Sequence, residues 1–324
     1  MKLGISHVIE KEGLGLAREQ IKTSIGGEAL IEGIMMKGPK VSAMANRLPD
    51  GSIDLELLDF HPIKEKVPFL GLPLIRGSVN FIEMMLTSYK CLNKSVQKVG
   101  LEDEEPSAFE KKLTKLFGDK FAAVLTGVSA VLGMLLAVGL FLVLPTVLVK
   151  LLGNWLPIAG VASLIEGVVK LGIFVLYLAL VSHMSEMARL FGYHGAEHKT
   201  IACYEAGEEL TVENIRKHRR FHPRCGTSFL LITLVISILA SSIVTWESAL
   251  IRVGLKLLML PLVMGVSYEI IRFAGRHDNA FTRIISAPGL WLQRLTTKEP
   301  DDGMIEIAIA AVTPVIPTDG SDRI

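Results

Sequence analysis

The chain has 324 residues, 50% of them hydrophobic and 21% charged, and its mean hydropathy is +0.45. Soluble chains carry nearer ~25% charged residues, so this composition excludes a pair of ordinary soluble domains and predicts apolar segments longer than a core requires. With 34 basic against 33 acidic residues the net charge is +1, which excludes a global nucleic-acid surface. Three widely spaced cysteines (Cys91, Cys203 and Cys225) exclude a disulfide framework and fit a reducing compartment. The opening residues hold no apolar stretch of signal-peptide length, which predicts a chain made without a cleaved export signal.

Residues 1–100 read as a small α/β part. Ala29–Met36 is an apolar run, and Val41–Asn46 and Ser52–Phe60 flank Pro49-Asp50-Gly51, a turn signal between two strands. Val67–Ile75 carries two prolines and is too short to span a bilayer, so it is expected as a buried loop or at the interface. Asn80–Lys98 has helical spacing, with Ile82, Met85, Leu86, Tyr89 and Val96 on one side. That stripe is expected to pack in a core rather than on a membrane surface. Residues 101–110, with Glu102-Asp103-Glu104-Glu105-Pro106, read as an acidic linker.

Residues 111–275 read as a membrane domain. Phe121–Val149 is uncharged over 29 residues and Cys225–Trp246 over 22, each enough to cross ~30 Å of hydrocarbon at 1.5 Å per residue. Leu171–Ser185 reaches full length only with Gly167–Lys170, and Leu257–Tyr268 is short and interrupted by Pro261. Basic residues decide between two spans and four. The segment 186–224 carries Arg189, Lys199, Arg216, Lys217, Arg219, Arg220 and Arg224, whereas Lys150–Ser163 holds one basic residue and Glu247–Lys256 holds two. Four spans with both termini in the cytoplasm keep every basic segment inside. The expected fold is therefore an α-helical membrane protein of about four transmembrane helices, a small α/β cytoplasmic N-terminal part, a cytoplasmic loop at 186–224 and a cytoplasmic tail at 276–324. Within that tail, the apolar run Met304–Val312 is expected to pair with the N-terminal strands.

The chemistry-bearing stretch is Tyr193-His194-Gly195-Ala196-Glu197-His198. His194, Glu197 and His198 form H-x-x-E-H, the spacing of inverted zincins, in which residues four apart on a helix point two imidazoles at one ion. Glu197 then stands beside a metal-bound water as general base. Gly195 disfavours a stiff helix by ~1 kcal/mol, which places His194 at a helix entrance. His222 and Cys225, three apart before the third span, emerge at the same membrane face, so His194, His198, His222 and Cys225, or three of them plus water, make a zinc ligand set. The plain alternative is that these polar residues solvate a helix end. Glu205 lies seven residues, ~10 Å, beyond His198, too far for the same ion. Glu269, near the inner end of the fourth span, is either an additional site residue or an ion-pair partner of Arg272. Arg216, Lys217, Arg219 and Arg220 read as headgroup contacts or as a site for a phosphate-bearing substrate.

Longer motifs carry a resemblance. Gly26-Gly27-Glu28-Ala29-Leu30-Ile31-Glu32-Gly33-Ile34-Met35-Met36-Lys37-Gly38-Pro39 resembles the GGQAVIEGVMMRGP opening of the YqhQ family. The likeness continues through residues 193–200, 222–228 and 267–269 and through Leu292–Asp302, covering about residues 24–312. Glu28 stands where the family pattern has Gln, and Lys37 and Lys298 stand where it has Arg. The resemblance implies a multi-pass protein of the bacterial cytoplasmic membrane, in a family of unknown function often labelled as predicted metal-dependent enzymes. It also directs attention to Glu28, Glu32 and Arg76, with Glu32 either a further ligand or a buried structural partner.

Together these features lead to a zinc-dependent hydrolase at the inner membrane surface, acting on a lipid-linked or membrane peptide substrate, with the lipid bilayer as partner and no nucleic acid. A scaffold or assembly factor with a structural metal site is the first alternative. A transporter using Glu269 and the Glu166–Lys170 pair is the second.

Overall fold

The computed structural model describes residues 21–58, 63–100, 121–156, 161–243, 249–277 and 279–324. The acidic linker expected at 101–110, the N-terminal twenty residues and the expected end of the third span at Trp246 lie outside them.

Among the described residues, four short strands come first: β1 (Gly26–Leu30), β2 (Gly33–Lys37), β3 (Ser42–Arg47) and β4 (Ile53–Leu58). They form an antiparallel sheet in sequence order, with Gly27 opposite Met36 and Met35 opposite Met44. The apolar run expected as one piece at Ala29–Met36 is a hairpin, turned at Ile31 and Glu32, where Glu32 takes a left-handed φ of 48°. The central strands are buried nearly throughout because both faces of the sheet are covered. Ile34, Met36, Ala43 and Ala45 share one core with residues of the C-terminal helices, while Leu30, Met35 and Met44 face the other way onto Cys91.

After a short helix α1 (Ile63–Lys66) and a 3-10 turn at Pro68–Gly71, α2 runs from Ile75 to Val99. Its buried residues are Gly77, Glu83, Cys91 and Ser95. Lys98 bonds Asp54 at 2.5 Å and Glu56 at 2.7 Å, and Lys94 also bonds Glu56, so the lysine side of α2 faces β4. The stripe expected in a core is therefore turned outward: Ile82, Met85, Leu86 and Tyr89 are all more than half exposed. Phe69, Leu72 and Leu74 are exposed just before it, which places the segment around Val67–Ile75 at the surface rather than in a buried loop.

The apolar helices are α3 (Phe121–Val138), continued through a π turn into α4 (Leu144–Gly153), then α5 (Ala162–Val181), α8 (Gly226–Ile243) and α9 (Ala249–Arg276). Among the described residues, three stretches are long and apolar enough to cross a membrane: Gly127–Gly153, Ala162–Val181 and Leu257–Arg276. Only 6%, 6% and 17% of their most apolar windows are buried inside the chain, so these surfaces are turned to the surroundings as an apolar medium would require. Gly226–Ser242 is apolar but shorter. α9 passes through Pro261 without a break, where the sequence suggests an interruption. α2 crosses α9 closely: a Cβ on Gly265 would sit 1.9 Å from Leu74 O, and one on Gly77 would sit 2.7 Å from Tyr268 Cβ. Ser78 Oγ donates to Pro261 O at 2.7 Å, and Arg76 makes a two-pronged bond to Glu269 at 2.7 and 2.5 Å.

Between α5 and α8 lie α6 (Ser185–Glu205) and α7 (Val212–Lys217). The C-terminal α10 (Ala280–Thr296) and α11 (Asp302–Val312) return to the rest of the chain. Met304–Val312 packs on the sheet as a helix and is not paired with its strands. Asp301 caps the first turn by accepting from Met304 N at 2.8 Å, and Met304, Ile307, Ala308 and Ala311 follow helical spacing into the core. Within residues 276–324, expected as a tail, residues 304–316 thus share the core of the N-terminal sheet and α6. Residues 22–24 also meet residues 322–324. Thr23 bridges Arg323, Ser24 N donates to Asp322 O at 2.6 Å, and Ile324 N donates to Lys22 O at 3.0 Å.

The α2–α9 crossing has no room for a methyl group on the backbone side. Gly265→Ala should cost ~1–3 kcal/mol, seen as a lower midpoint in thermal unfolding of the detergent-solubilised protein. An unchanged midpoint would mean that the two helices separate freely.

Candidate metal centre

The segment expected as a loop with His194 at a helix entrance is instead dominated by a continuous helix, α6, with His194 and Gly195 near its middle. The glycines serve close approach. A Cβ on Gly195 would lie 2.0 Å from Lys298 O, and one on Gly192 would lie 2.7 Å from Met304 Sδ. Lys298 N also donates to Phe191 O at 2.8 Å, so the extended segment after α10 lies directly on α6. The helix cost of glycine is accepted where a second backbone must touch.

That contact orients the first imidazole. His194 Nδ1 lies 2.8 Å from Thr296 O, and His198 Nδ1 lies 2.7 Å from Arg220 O. A carbonyl oxygen only accepts, so each Nδ1 carries the proton and each Nε2 keeps its lone pair for a ligand. The two rings are 4.4 Å apart, and His194 Nε2 is 3.2 Å from Cys225 Sγ. Ligand atoms of His194, His198 and Cys225 all lie within 4.8 Å of one another. Zinc bonds of ~2.0 to 2.3 Å in a tetrahedron separate ligand atoms by about 3.5 Å, so the trio fits that ion with small side-chain adjustments. Thr227 N donates to Cys225 Sγ at 3.4 Å, a contact that suits a negatively charged sulfur.

Glu197 is buried beside them, with Oε2 4.0 Å from His194 Nε2. Gly27 N donates to its other oxygen at 2.9 Å, which brings β1 onto the site. Burial pushes the Glu197 carboxyl above the usual carboxylate range, against the opposing pull of His194 and the Gly27 N–H. Glu28 is also raised, by burial first, with its bond from Ser88 acting against the rise and the nearby Glu197 charge adding to it. The N-terminal opening thus supplies a second carboxyl within the electrostatic reach of Glu197.

The other predicted residues fall elsewhere. His222 is outside the trio, although its ring is 5.7 Å from that of His198. Its Nε2 lies 3.5 Å from Glu205 Oε2 and 3.4 Å from Arg224, and burial holds its imidazole below the ordinary value despite the Glu205 bond. Glu205 also bonds Arg224 and accepts from Thr23 N at 2.8 Å. Burial alone would raise its carboxyl, but the His222 bond and the Arg224 charge bring it below the usual range. Spacing along the helix puts Glu205 too far from His198 to share its ion, yet the turn at residues 218–225 brings His222 back to it. Glu269 pairs with Arg76 rather than Arg272 and belongs to the α2–α9 crossing. Glu32 is bonded by Arg189 and by Tyr193 OH, the latter at 3.0 Å, and ties the hairpin to α6 as a structural partner. A second trio, Cys203, Glu208 and His218, lies at the far end of α6, with His218 Nε2 3.2 Å from Glu208.

Sequence reasoning missed Gln293 and Gly27. The Gln293 side chain both accepts from His222 N at 2.8 Å and donates to His222 O at 2.7 Å, fixing the turn that carries Cys225. The Gly26-Gly27 pair is a visible signal, but its role is close approach to Glu197: a Cβ on Gly27 would lie 3.1 Å from Glu197 Cγ and 2.6 Å from Met35 O.

Gly195→Ala should lower the unfolding midpoint although alanine favours helix by ~1 kcal/mol, because the added methyl displaces Lys298 and loosens Thr296 from His194. A raised midpoint would show that the 297–300 segment is free to move off α6.

Residues 72–318 match the sequence profile of a family described as "Protein of unknown function (DUF1385)". The chain is 34% identical over 300 residues to "Uncharacterized protein YqhQ" of Bacillus subtilis (strain 168), covering 91% of this chain and 92% of that protein. No solved structure matches.

Proposed function

Since the chain belongs to the DUF1385 family, to which its YqhQ resemblance also leads, we propose that it is a zinc-dependent hydrolase of the bacterial cytoplasmic membrane, with its site at the cytoplasmic face. The observation that carries this reading is the pair of imidazoles whose Nδ1 atoms are fixed on Thr296 O and Arg220 O while ligand atoms of both gather with Cys225 Sγ. Outer-shell carbonyls of this kind are what orient histidines around zinc. A set of three protein ligands would be the pattern of catalytic rather than closed structural zinc. Zinc held by His194, His198 and Cys225 would supply a Lewis acid and a water acidified to a pKa near ~7.

Glu197, with one oxygen 4.0 Å from His194 Nε2, would act as general base by taking a proton from the attacking water. Its raised carboxyl suits the task, because a base works best when its pKa approaches the working pH. Gly27 N–H holds one oxygen of Glu197, leaving the other toward His194. Glu28 shares the local negative charge and helps retain the proton. The substrate is lipid-linked or a membrane peptide, since Cys225 stands directly before the apolar helix α8. Both termini and all the strongly basic segments then lie on the cytoplasmic side.

The competing reading is a closed structural site in a scaffold, favoured by the burial of His198 and Glu197. It requires a fourth protein ligand, and Glu197 is the nearest carboxylate. Elemental analysis separates the two. One zinc per chain is expected in the purified protein, falling well below stoichiometric in His198→Ala and Cys225→Ser. Glu197→Gln and His222→Ala should keep their zinc. Loss of zinc from Glu197→Gln would make Glu197 a ligand and favour the structural site, and a metal-free wild-type protein would remove both readings.

A further inference from the structure

A cavity of about 410 Å³ is lined by Arg76, Arg224, Arg272 and Arg276 together with Asn80 and Tyr268, and Arg224 directly precedes Cys225 of the candidate metal centre. Four guanidiniums line it without a carboxylate side chain among the described lining residues. Two of the four are already paired, Arg76 with Glu269 and Arg224 with Glu205. Arg272 has only the neighbouring charge of Glu269, and Arg276 makes no ion pair among the described residues. Gly275 keeps the floor low, since a Cβ there would come within 2.8 Å of Arg224 Cδ. A pocket of this kind has an excess of positive charge and planar donors suited to phosphate oxygens.

Its position identifies the source of the phosphate. The cavity lies where α9 ends and where the chain enters α8, the same end of the apolar helices that carries Cys225. Gly71 is on its rim, and the exposed Phe69, Leu72 and Leu74 surround that glycine. From there the outward stripe Ile82, Met85, Leu86 and Tyr89 continues along α2, whose other side is held to β4 and α9. An apolar stripe beside a cationic cavity at the end of membrane-crossing helices describes a helix lying in the headgroup layer. A free anion would need the arginines but not the stripe.

We propose that this cavity binds the phosphate of an anionic lipid headgroup, one without a compensating cationic group, and so sets the substrate class of the adjacent candidate metal centre, an inference that rests on the hydrolase reading above. Arg272 and Arg276 take the phosphate oxygens, α2 holds the acyl chains in the leaflet, and Arg224 links the cavity to the metal site through Glu205 and His222.

The test uses the full-length zinc protein in detergent, titrated with phosphatidylglycerol, phosphatidylcholine or inorganic phosphate, with thermal unfolding as the readout and zinc content measured on each sample. Phosphatidylglycerol should stabilise the protein at concentrations where phosphatidylcholine does not. Arg272→Gln/Arg276→Gln should weaken that apparent affinity on the order of tenfold, given ~1 kcal/mol per basic residue near an anionic headgroup. The exposed pair Lys40→Gln/Arg294→Gln removes the same charge away from the cavity and should leave the affinity unchanged. Equal responses to both lipids, equal losses in both double variants, or full stabilisation by inorganic phosphate alone would each overturn the lipid assignment. Zinc retained while the lipid effect is absent would remove the cavity proposal and leave the metal reading standing. Absent zinc with an intact lipid effect would remove the metal reading and, with it, the link to a substrate.

Discussion

Two main-chain carbonyls, Thr296 O and Arg220 O, set the tautomer and direction of the two imidazoles on α6. Everything that gives the centre its chemical character follows from that constraint. Histidines four apart on an exposed helix would rotate freely and hold an ion weakly. Here each ring is tied at one nitrogen and offers the other. Both carbonyls come from segments distant in sequence, so the fold must close before the histidines are aligned. The Gly195–Lys298 contact and the Gln293 clamp on His222 maintain the closure from two sides.

Much of the centre is visible in the amino-acid order. The spacing of His194 and His198, and the placement of His222 and Cys225 just before an apolar helix, point to this cluster, with His222 among the expected ligands and Cys225 the one that joins the trio. What the order of residues leaves open is the long-range partners: helix geometry predicts which neighbours share a face but not where the chain returns. Glu205 is seven residues from His198 along α6, yet a turn carries His222 back to it. Glu269 has Arg272 one turn away, but Arg76 from a crossing helix is better aligned for two bonds. Glu32 resembles a ligand because an acid in an apolar run needs a partner, and that partner is Arg189.

The fold is legible at a similar level. An unbroken apolar run is compatible with a strand covered on both faces or with a buried helix. Ala29–Met36 is the former, bent into a hairpin, and Met304–Val312 the latter. The cap at Asp301 is the local signal that separates them, because an aspartate accepting from the third residue onward starts a helix. The α2 stripe is correctly periodic, but periodicity says only that one side differs from the other. Lys94 and Lys98, bound to the acidic side of β4, decide that the apolar side faces out.

The joining of residues 22–24 to 322–324 makes the intervening fold a ring closed by hydrogen bonds. Thr23 is held from two directions, its N–H by Glu205 and its hydroxyl by Asp322 at 2.6 Å. Peeling either edge would therefore uncover the carboxylate that steadies His222 and Arg224. Opening this seam would therefore unsettle the turn that leads from His222 to Cys225 in the candidate site.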